Sequence, residues 1–478
     1  MGGNLRARLQ RIREAGSAAG PAEAGTAEGS QPAGSLLSGS GIPPGFSGWV
    51  PSGFKVLERS ALLDLPAVPV YPLPPSLSIL IPDLLRYAAA PETGSAAKPV
   101  SVSPNPQRLS PEDLLFFDLE TTGLSGGAGT VAFLAAFGRF VEGSKRSGPD
   151  RDYRLQVKQY LLLDYPGEND FLKAALAEFS PSPVPSGPAQ PPLTVTYNGK
   201  SFDSQILKTR CLMNGMTSPV FYHADLLYPS RRLWKRVLPS CSQGTIETGI
   251  LGLDRTGDIP GSMAPDIWFS YLRSGGEPSA EAALLGICGH NLRDILGLAV
   301  LFTVLARIAA DPLGAGVYRV DKAALALCWR EAARRRSGGA AFPGGPDGPG
   351  EDAAELGETA RRLMEAAEKD SPLAGYILSL DLIRGGRTEE GRRRLRSLLK
   401  RNLSSALRAA ACRTLAIDAE WRLRDRQAAL NYTEAALGID GTRPVMREDL
   451  RSRRERLLRM LNRVEGQPET GFTGPPKL

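Results

Sequence analysis

The sequence predicts an α/β domain followed by an all-helical domain. Between about residues 110 and 310, short apolar strands alternate with segments of helical periodicity, the pattern of an α/β sheet flanked by helices. Beyond about residue 317 the chain consists of amphipathic helices. Glycine and proline, 52 and 39 of the 478 residues, are unevenly spread, and stretches rich in them mark the linkers between these regions.

The segment before the α/β domain is expected to hold little regular structure. Residues 1–48 begin with a short basic helix and continue as a flexible tail, whose few large apolar side chains cannot offset the entropy of ordering. Residues 49–108 contain the proline-rich run LPAVPVYPLPPSLSILIP, which suits extended packing against a neighbouring surface, and end in a linker.

Five strands are predicted within residues 109–312. LLFFDLE and TVAFLAAFGRF are adjacent strands joined by a glycine-rich turn, YRLQVKQYLLL is a third, LTVTYN is short, and HADLLY is the candidate fifth. NDFLKAALAEF is helical, and KSFDSQILKTRCLMNG is a helix that ends at Gly215. LGLAVLFTVLARIAA is expected to be a buried helix, since it is too short for a membrane span and is interrupted by Arg307.

The second half of the chain is expected to be helical. Residues 313–350 form a linking helix and a Gly/Pro loop, and residues 351–465 hold at least five helices, followed by a disordered tail at 466–478. Loops near Gly385 and Asp425 recur at roughly 35 to 40 residues, which resembles a tetratricopeptide-type array. Arginine runs such as GRRRLRSLLKR could bind nucleic acid, or could be the polar faces of helices whose grooves hold a protein partner.

Composition narrows the classes of protein. The net charge of +7 slightly favours a polyanionic partner, although a basic surface also serves solubility. Five scattered cysteines without a C-x-x-C pair predict reduced thiols in a cytoplasmic protein and argue against a zinc site. The first residues lack the apolar core of a signal peptide, and no membrane association is expected. Of the two histidines, His223 is expected to be structural, which leaves His290 for chemistry.

Three carboxylates occupy positions that suggest chemistry. Asp118 and Glu120 follow an apolar run and share one strand face, and two carboxylates held together repel unless they bind divalent cations. Asp203 lies in the first turn of the helix after LTVTYN, and its functional interpretation requires that strand to neighbour the first. The alternatives are a surface pair for the first two and a helix-start acid for the third.

His290 and Asp294 add a fourth carboxylate and an imidazole. They are four residues apart in GHNLRDILGLAVL, hence on one helical face, although an ordinary polar pair at a helix start would have the same spacing. Four carboxylates can hold two metal ions about 3.5–4 Å apart. An imidazole of pKa about 6.5 could take the proton of an attacking water. The combination predicts metal-dependent hydrolysis of a phosphodiester.

Three segments carry a resemblance to a known group. FDLETTG, NGKSFD and HNLRD, in that order, resemble the motifs of the DEDD exonucleases of the ribonuclease-H-like superfamily. The chain is also similar to the bacterial YprB-type family, whose members often carry tetratricopeptide helices, in GGAGTVAF, ADLLYPSRRLWK and IETGILGLDRTGDIPGSMAPDIWFSYL. The resemblance covers roughly residues 110 to 310 and, in a general way, the helical tail.

The resemblance implies a ribonuclease-H-like mixed sheet of five strands and 3'-to-5' exonuclease-type cleavage with two Mg²⁺ or Mn²⁺ ions. It implies four metal ligands: Asp118, Glu120, Asp203 and Asp294. His290 departs from the family pattern, because histidine bases typically precede the last acid by five residues and tyrosine bases by four. A histidine at the four-residue spacing leaves the identity of the base open.

Substrate contacts are expected on both sides of the acids. Relatives often contact the 3'-terminal sugar and base just after the first two ligands, and a glycine-rich turn there could admit a nucleotide or simply form the hairpin. In SRRLWKR, basic residues interleave with an aromatic, which suits a phosphate track with base stacking or a solvated helix face. The candidates are Thr121, Thr122, Leu124, Gly126, Gly127, Gly129, Asn198, Arg231, Arg232, Trp234, Lys235 and Arg236.

Together these patterns predict an enzyme. The expected activity is a divalent-metal-dependent 3'-5' exonuclease acting on single-stranded RNA or DNA ends. The alternative, from a different class, is a non-catalytic nucleic-acid-binding or scaffolding protein whose helical array recruits a partner. Loss of an acidic ligand would favour the alternative, and all four acids are present.

Overall fold

The computed structural model describes residues 42–66, 69, 72–88, 109–123, 127, 129–143, 153–184, 187–337 and 351–465. Contacts divide the chain into two units, one ending at Asp311 and one beginning at Pro312. The predicted N-terminal tail to residue 41, the linker at 89–108, the Gly/Pro loop at 338–350 and the tail at 466–478 lie outside the described residues.

The first unit is built on a mixed seven-stranded sheet, in the order β1-β2-β5-β4-β3-β8-β9. The neighbouring strands in the run β1-β2-β5-β4-β3 are antiparallel, whereas β3, β8 and β9 run parallel to one another. A separate two-stranded hairpin, β6-β7, completes the strands. Their bounds are β1 Val50–Gly53, β2 Val56–Leu63, β3 Leu114–Thr121, β4 Ala132–Glu142, β5 Tyr153–Leu162, β6 Ser182–Val184, β7 Gly187–Gln190, β8 Leu193–Thr196 and β9 Tyr222–Asp225.

All five predicted strands are present, but the prediction of a five-stranded sheet is wrong, because the sheet has seven strands. Residues 49–63, expected only to pack in extended form, supply two more strands, and β2 pairs with β5 along its whole length. The proline content of this segment does not favour strands in a prediction. Pro51, however, lies in β1, an edge strand whose outer N–H groups need no partner, and the other prolines follow the end of β2. The predicted strand HADLLY is shorter than expected, because the chain turns into a helix at Leu227.

Helices cover the sheet. Their bounds are α1 Leu77–Leu80, α2 Asp83–Ala88, α3 Glu168–Ala177, α4 Asp203–Met213, α5 Leu227–Trp234, α6 Gln243–Ile246, α7 Ala264–Ser274 and α8 Pro278–Ala310. The predicted buried helix is the C-terminal half of α8, whose Phe302 ring lies 6.1 Å from that of Phe116 on β3. A Cβ on Gly138 of β4 would lie 2.6 Å from Ile295 Cγ2, so this glycine lets α8 approach the sheet closely.

The second unit is entirely helical in its described residues. The helix expected to link the two domains, α9, packs instead against α10 within this unit. The sequence predicts at least five further helices, and the described part of the unit contains six. The bounds are α9 Lys322–Arg336, α10 Glu351–Ala367, α11 Pro372–Arg384, α12 Thr388–Leu399, α13 Ser405–Asp418, α14 Arg426–Leu437 and α15 Pro444–Glu465.

Arginines of the run GRRRLRSLLKR bind within the helical unit. Buried Arg392 donates to Asp418 at 2.6 Å, Arg394 pairs with Glu368 at 3.2 Å, and Arg401 donates to the carbonyl of Lys369 at 2.7 Å. These bonds join neighbouring helices or the turns that follow them, which favours the structural interpretation of this run over nucleic-acid binding.

Two further expectations concern the chain as a whole. All five cysteines lie in the described part and are free thiols, as the sequence predicts. Among the described residues, no helix has both the length and the apolar character needed to cross a bilayer.

Candidate active site

The parallel strands bring three of the predicted acids to one edge of the sheet. Asp118 and Glu120 lie near the C-terminal end of β3, on the face that Phe116 turns towards α8. Strand β8 is parallel to β3 and adjacent to it, as the functional interpretation of Asp203 requires. Asp203 begins α4 after the β8 turn, so its carboxylate lies at the same edge.

Helix α8 supplies the remaining two groups. His290 and Asp294 lie one turn apart in the middle of this 33-residue helix, not at a helix start. Their side chains line one cavity of about 220 Å³ together with all three other acids. The lining residues are Asp118, Leu119, Glu120, Thr121, Tyr197, Asn198, Phe202, Asp203, Gly261, Pro265, His290 and Asp294.

Burial and mutual repulsion dominate the electrostatics of the acids. Burial and then the charges of the other three carboxylates raise the pKa of Asp118 well above its ordinary value. Burial and then the charges of Asp294 and Asp203 do the same to the pKa of Glu120. Burial raises the pKa of Asp203 to about 7, against hydrogen bonds from backbone amides. Such a cluster is stabilised by protons or by bound cations.

A chain of buried amides orients Asp118. Arg59 Nε donates to Gln159 Oε1 at 2.9 Å, Gln159 Nε2 donates to Asn291 Oδ1 at 2.8 Å, and Asn291 Nδ2 donates to Asp118 Oδ2 at 2.7 Å. Arginine can only donate, so it sets the direction of both amides. The last donor therefore favours the ionised carboxylate. Arg59 lies on β2, opposite Gln159 of β5, so the extra strands reach the site through this chain.

The loop at 252–263 closes the other side of the site. Arg255 pairs with Asp294, donates to buried Glu247 at 2.6 Å, and donates to Asp258 at 2.6 Å. Burial would lower the pKa of Arg255, but the charges of Asp294 and Glu247 outweigh it and raise that pKa. The loop also brings Gly261 against His290, where a Cβ would lie 3.0 Å from Nε2.

Two polar side chains of β9, His223 and Asp225, bond the neighbouring strand and the turn before Asp203. Buried Asp225, to which the sequence assigns no role, accepts from the backbone N–H of Asn198 at 2.8 Å and of Lys200 at 3.2 Å. Asn198, which lines the cavity, has a left-handed φ of 66° that this carboxylate supports. Burial and the charge of Lys200 lower the pKa of His223 to about 4, and its Nε2 lies 2.7 Å from a threonine hydroxyl.

The last residue of β3 lines the cavity, and the residue after it belongs to the hairpin turn. Buried Thr121 lines the cavity and donates its hydroxyl to the carbonyl of Gly123 at 2.8 Å. Thr122 Oγ1 accepts from the N–H of Val131 at 2.9 Å, which ties the ends of the β3-β4 hairpin together. Leu124 and Gly126 lie outside the described residues.

The prediction that Trp234 on α5 stacks against nucleic-acid bases is wrong. Trp234 is 0% exposed and packs in the core, so its ring offers no face to a base. Arg231, Arg232 and Lys235 are exposed on the same helix or directly after it. Tyr228 is 53% exposed, and the ammonium of Lys200 lies 6.0 Å from its ring. An exposed aromatic and a row of cations therefore exist on α5, at Tyr228 rather than at Trp234.

Three side chains come closest to a metal-ligand geometry. Donor atoms of Glu120, His290 and Asp294 all lie within 4.8 Å of one another. Asp118 and Asp203 line the same cavity but fall outside this group, and Asp118 is turned towards Asn291. Oxygen-rich sets of this kind suit Mg²⁺ and Mn²⁺, and the imidazole suits Mn²⁺ better than Mg²⁺.

Sequence reasoning missed the residues that support the acids. Gln159 is a single polar side chain on the inward face of an apolar strand, and Asn291 is adjacent to His290, so each carries a weak signal. The segment DRTGD belongs to the stretch that resembles the YprB-type family, but the resemblance assigns no role to its arginine or to its aspartates. Nothing in a loop's sequence says which distant helix it will contact.

Comparisons with known proteins concern the fold of this region. Residues 115–306 match the model of the RNase_H superfamily. The chain is 36% identical over 198 residues to a Bacillus subtilis (strain 168) protein described as uncharacterized protein YprB; the alignment spans 41% of this chain and 42% of that protein. No solved structure matches. The α/β region thus has an RNase H-like fold, a mixed sheet flanked by helices with acids at the ends of its parallel strands.

Proposed function

We propose that the chain is a divalent-metal-dependent nuclease that removes nucleotides from the 3' end of single-stranded nucleic acid. The observation that carries the proposal is the shared cavity lined by Asp118, Glu120, Asp203, Asp294 and His290. These residues come from a strand, a helix start and the middle of a long helix. A purely structural role would not explain why side chains from three separate elements meet in one cavity. The match of residues 115–306 to the RNase H superfamily model supports the same reaction class.

The cavity fits divalent cations by the chemistry of its donors. Burial and mutual repulsion disfavour ionised carboxylates here, so cation charge would stabilise them, and Asp118, Glu120, Asp203 and Asp294 would hold it. Bound cations would supply positive charge to the scissile phosphate and make the attacking water more acidic. Mg²⁺ and Mn²⁺ are the proposed ions.

His290 is proposed to accept the proton of the attacking water. Its Nε2 lies on the cavity side, 3.3 Å from Asp294 Oδ2. The other ring nitrogen is engaged with Asp258 at 2.8 Å, so only Nε2 is available for this role. The alternative role for His290, as a ligand beside Glu120 and Asp294, has the same atom pointing the same way.

A path for the strand is proposed along the exposed face of α5. Arg231, Arg232 and Lys235 follow Tyr228 by three, four and seven residues and so share its helix face. Lys200 lies against Tyr228 and is two residues from Asn198 in the cavity wall, so this face leads to the acids. Cations for phosphates and a ring for bases suit single strands without sequence preference.

The test compares the wild type with Asp118→Asn on 5'-labelled single-stranded RNA and DNA of one sequence, in Mg²⁺, Mn²⁺ or EDTA. We expect a ladder that shortens from the 3' end in either metal, none in EDTA, and a loss of at least about 10²-fold in the variant. Wild-type protein that binds the strands but cleaves neither would favour the scaffolding alternative. An unchanged rate in Asp118→Asn would remove this cavity as the site.

A further inference from the structure

The Asp258 carboxylate is fully engaged by three neighbours. Its Oδ2 accepts from His290 Nδ1 at 2.8 Å and from Arg255 at 2.6 Å, and its Oδ1 accepts from Arg293 at 2.7 Å. Burial would raise the pKa of Asp258, but the hydrogen bonds from Arg255 and His290 outweigh it and lower that pKa. A carboxylate in this setting has no proton to donate, so the histidine nitrogen at 2.8 Å carries one. Arg255 Nη1 lies 3.4 Å from that nitrogen but donates to the carboxylate at the shorter distance of 2.6 Å.

The opposite edge of the His290 ring faces the cavity. Nε2 lies 3.3 Å from Asp294 Oδ2, and the space beside it exists because residue 261 is glycine. The imidazole is thus held between a loop carboxylate and the acidic pocket. In histidines that act as bases or bind metals, such a carboxylate partner fixes both the ring orientation and the tautomer.

We propose that Asp258 is a positioning residue that keeps the proton of His290 on Nδ1, so that the lone pair of Nε2 faces the cavity. Asp258 then serves the active site through His290, whereas exposed Asp254 of the same loop bonds within the loop. The catalytic consequence rests on the proposed function, whereas the tautomer concerns the chain alone and can be tested without any substrate.

The chain's two histidines make the tautomer directly measurable. Protein labelled with ¹⁵N only in histidine gives two ring spin systems in a long-range ¹H–¹⁵N correlation spectrum, and His290→Ala assigns them. In the neutral ring, we expect the proton of wild-type His290 on Nδ1. Asp258→Ala removes the acceptor, and Asp258→Asn replaces it with an amide that can donate as well as accept, so both variants should give a mixture of tautomers.

The matched control is Asp254→Asn. Asp254 is an exposed acid of the same loop, and it accepts from Thr256 at 2.8 Å instead of from the histidine. This variant should leave the His290 spectrum and the cleavage rate unchanged. Thermal unfolding of each variant identifies any that fails to fold, and the Asp258→Asn variant keeps the side-chain volume if Asp258→Ala does not fold.

Cleavage supplies the second readout. We expect Asp258→Ala to slow single-turnover cleavage by roughly 10–100-fold, and to change the rate of His290→Ala by less than about 2-fold, because the two residues act as one unit. Multiplicative losses in the double variant would overturn the proposal. So would wild-type His290 with its proton on Nε2, or a spectrum unchanged in both Asp258 variants. Wild-type protein without nuclease activity would defeat the proposed function but leave the tautomer test decisive.

Discussion

Among individual residues, the main feature of the site is a set of buried acids whose ionised form is disfavoured by burial. Asp203 is 5% exposed and Glu120 is 8% exposed, and burial is the main cause that raises the pKa of each. Arg255 compensates the charge of Asp294, whereas Asp118 accepts a hydrogen bond from the neutral amide of Asn291. The protein should therefore respond strongly to protons and to divalent cations.

Metal-free stability should fall as the pH rises towards neutrality. The pKa of Asp203 is about 7 in the folded protein and about 3.9 in an unfolded chain. Between these values the folded state binds a proton that the unfolded state lacks, so the stabilisation is complete below the lower value and lost through the upper one. In EDTA, the wild type should lose up to about 1.4 kcal/mol per pH unit relative to Asp203→Asn.

Thermal unfolding from about pH 5.5 to about pH 8 measures this difference. The control is Asp440→Asn, an exposed acid of the helical unit, which should keep the wild-type pH dependence. Parallel curves for the wild type and Asp203→Asn would show that this carboxyl ionises normally. Added Mn²⁺ should stabilise the wild type most at the upper end of the range, since ionised carboxylates bind it best.

Replacing His290 distinguishes a base from a ligand. If it accepts the proton of water, His290→Ala should lose about 10²–10⁴-fold in single-turnover rate and keep Mn²⁺ affinity within a few fold. Titration of Mn²⁺ alongside the kinetics provides the comparison. A collapse of affinity would identify a ligand, in line with the grouping of His290, Glu120 and Asp294. His223→Gln, a change at the other histidine, should leave both quantities unaltered.

At the scale of elements, α5 shows why a motif alone misplaces a side chain. SRRLWKR predicts cations around an aromatic, but helical geometry turns Trp234 into the core and Arg231 and Arg232 to the surface. Tyr228 then shares the exposed face. Composition is visible in the sequence, whereas the direction of each side chain depends on where the helix begins, and the structure places that start at Leu227.

The exposed face of α5 should bind single strands electrostatically. Arg231→Ala with Lys235→Ala should weaken binding of every sequence and lower the salt slope by about 0.7 for each phosphate that is no longer neutralised. Tyr228→Ala should cost about 1–3 kcal/mol with little change in slope. Affinities measured across a salt series, with Lys173→Ala on α3 as a control for charge, test both. Equal effects of the control and the α5 variants would move the nucleic-acid path elsewhere.

At the scale of the whole molecule, the two units divide the expected roles. Every residue that lines the cavity precedes Asp311, the last residue of the first unit. In the helical unit, arginines such as Arg392 and Arg394 are engaged in ion pairs between helices. Recruitment of a protein partner by that unit stays a prediction from its helical pattern.

A chain ending at Asp311 should keep metal-dependent cleavage. All five groups proposed for the reaction remain in it, and single-turnover cleavage should stay within about 10-fold of the full chain, as expected for a site that lies within one compact unit. Thermal unfolding establishes that the shortened chain is folded. Absence of cleavage by a folded shortened chain would show that the helical unit contributes to catalysis or to substrate binding.

The α/β class, five of the strands, the helical second half and the candidate acids can be predicted from the sequence, because periodicity and charge beside an apolar run are local signals. The two further strands of the sheet, the burial of Trp234 and the contacts of Gln159, Asn291 and Asp258 beside the cavity become visible in the folded protein alone. These outcomes depend on contacts between residues far apart in the chain. Such contacts are set by packing of the complete fold and leave no periodic trace in the sequence.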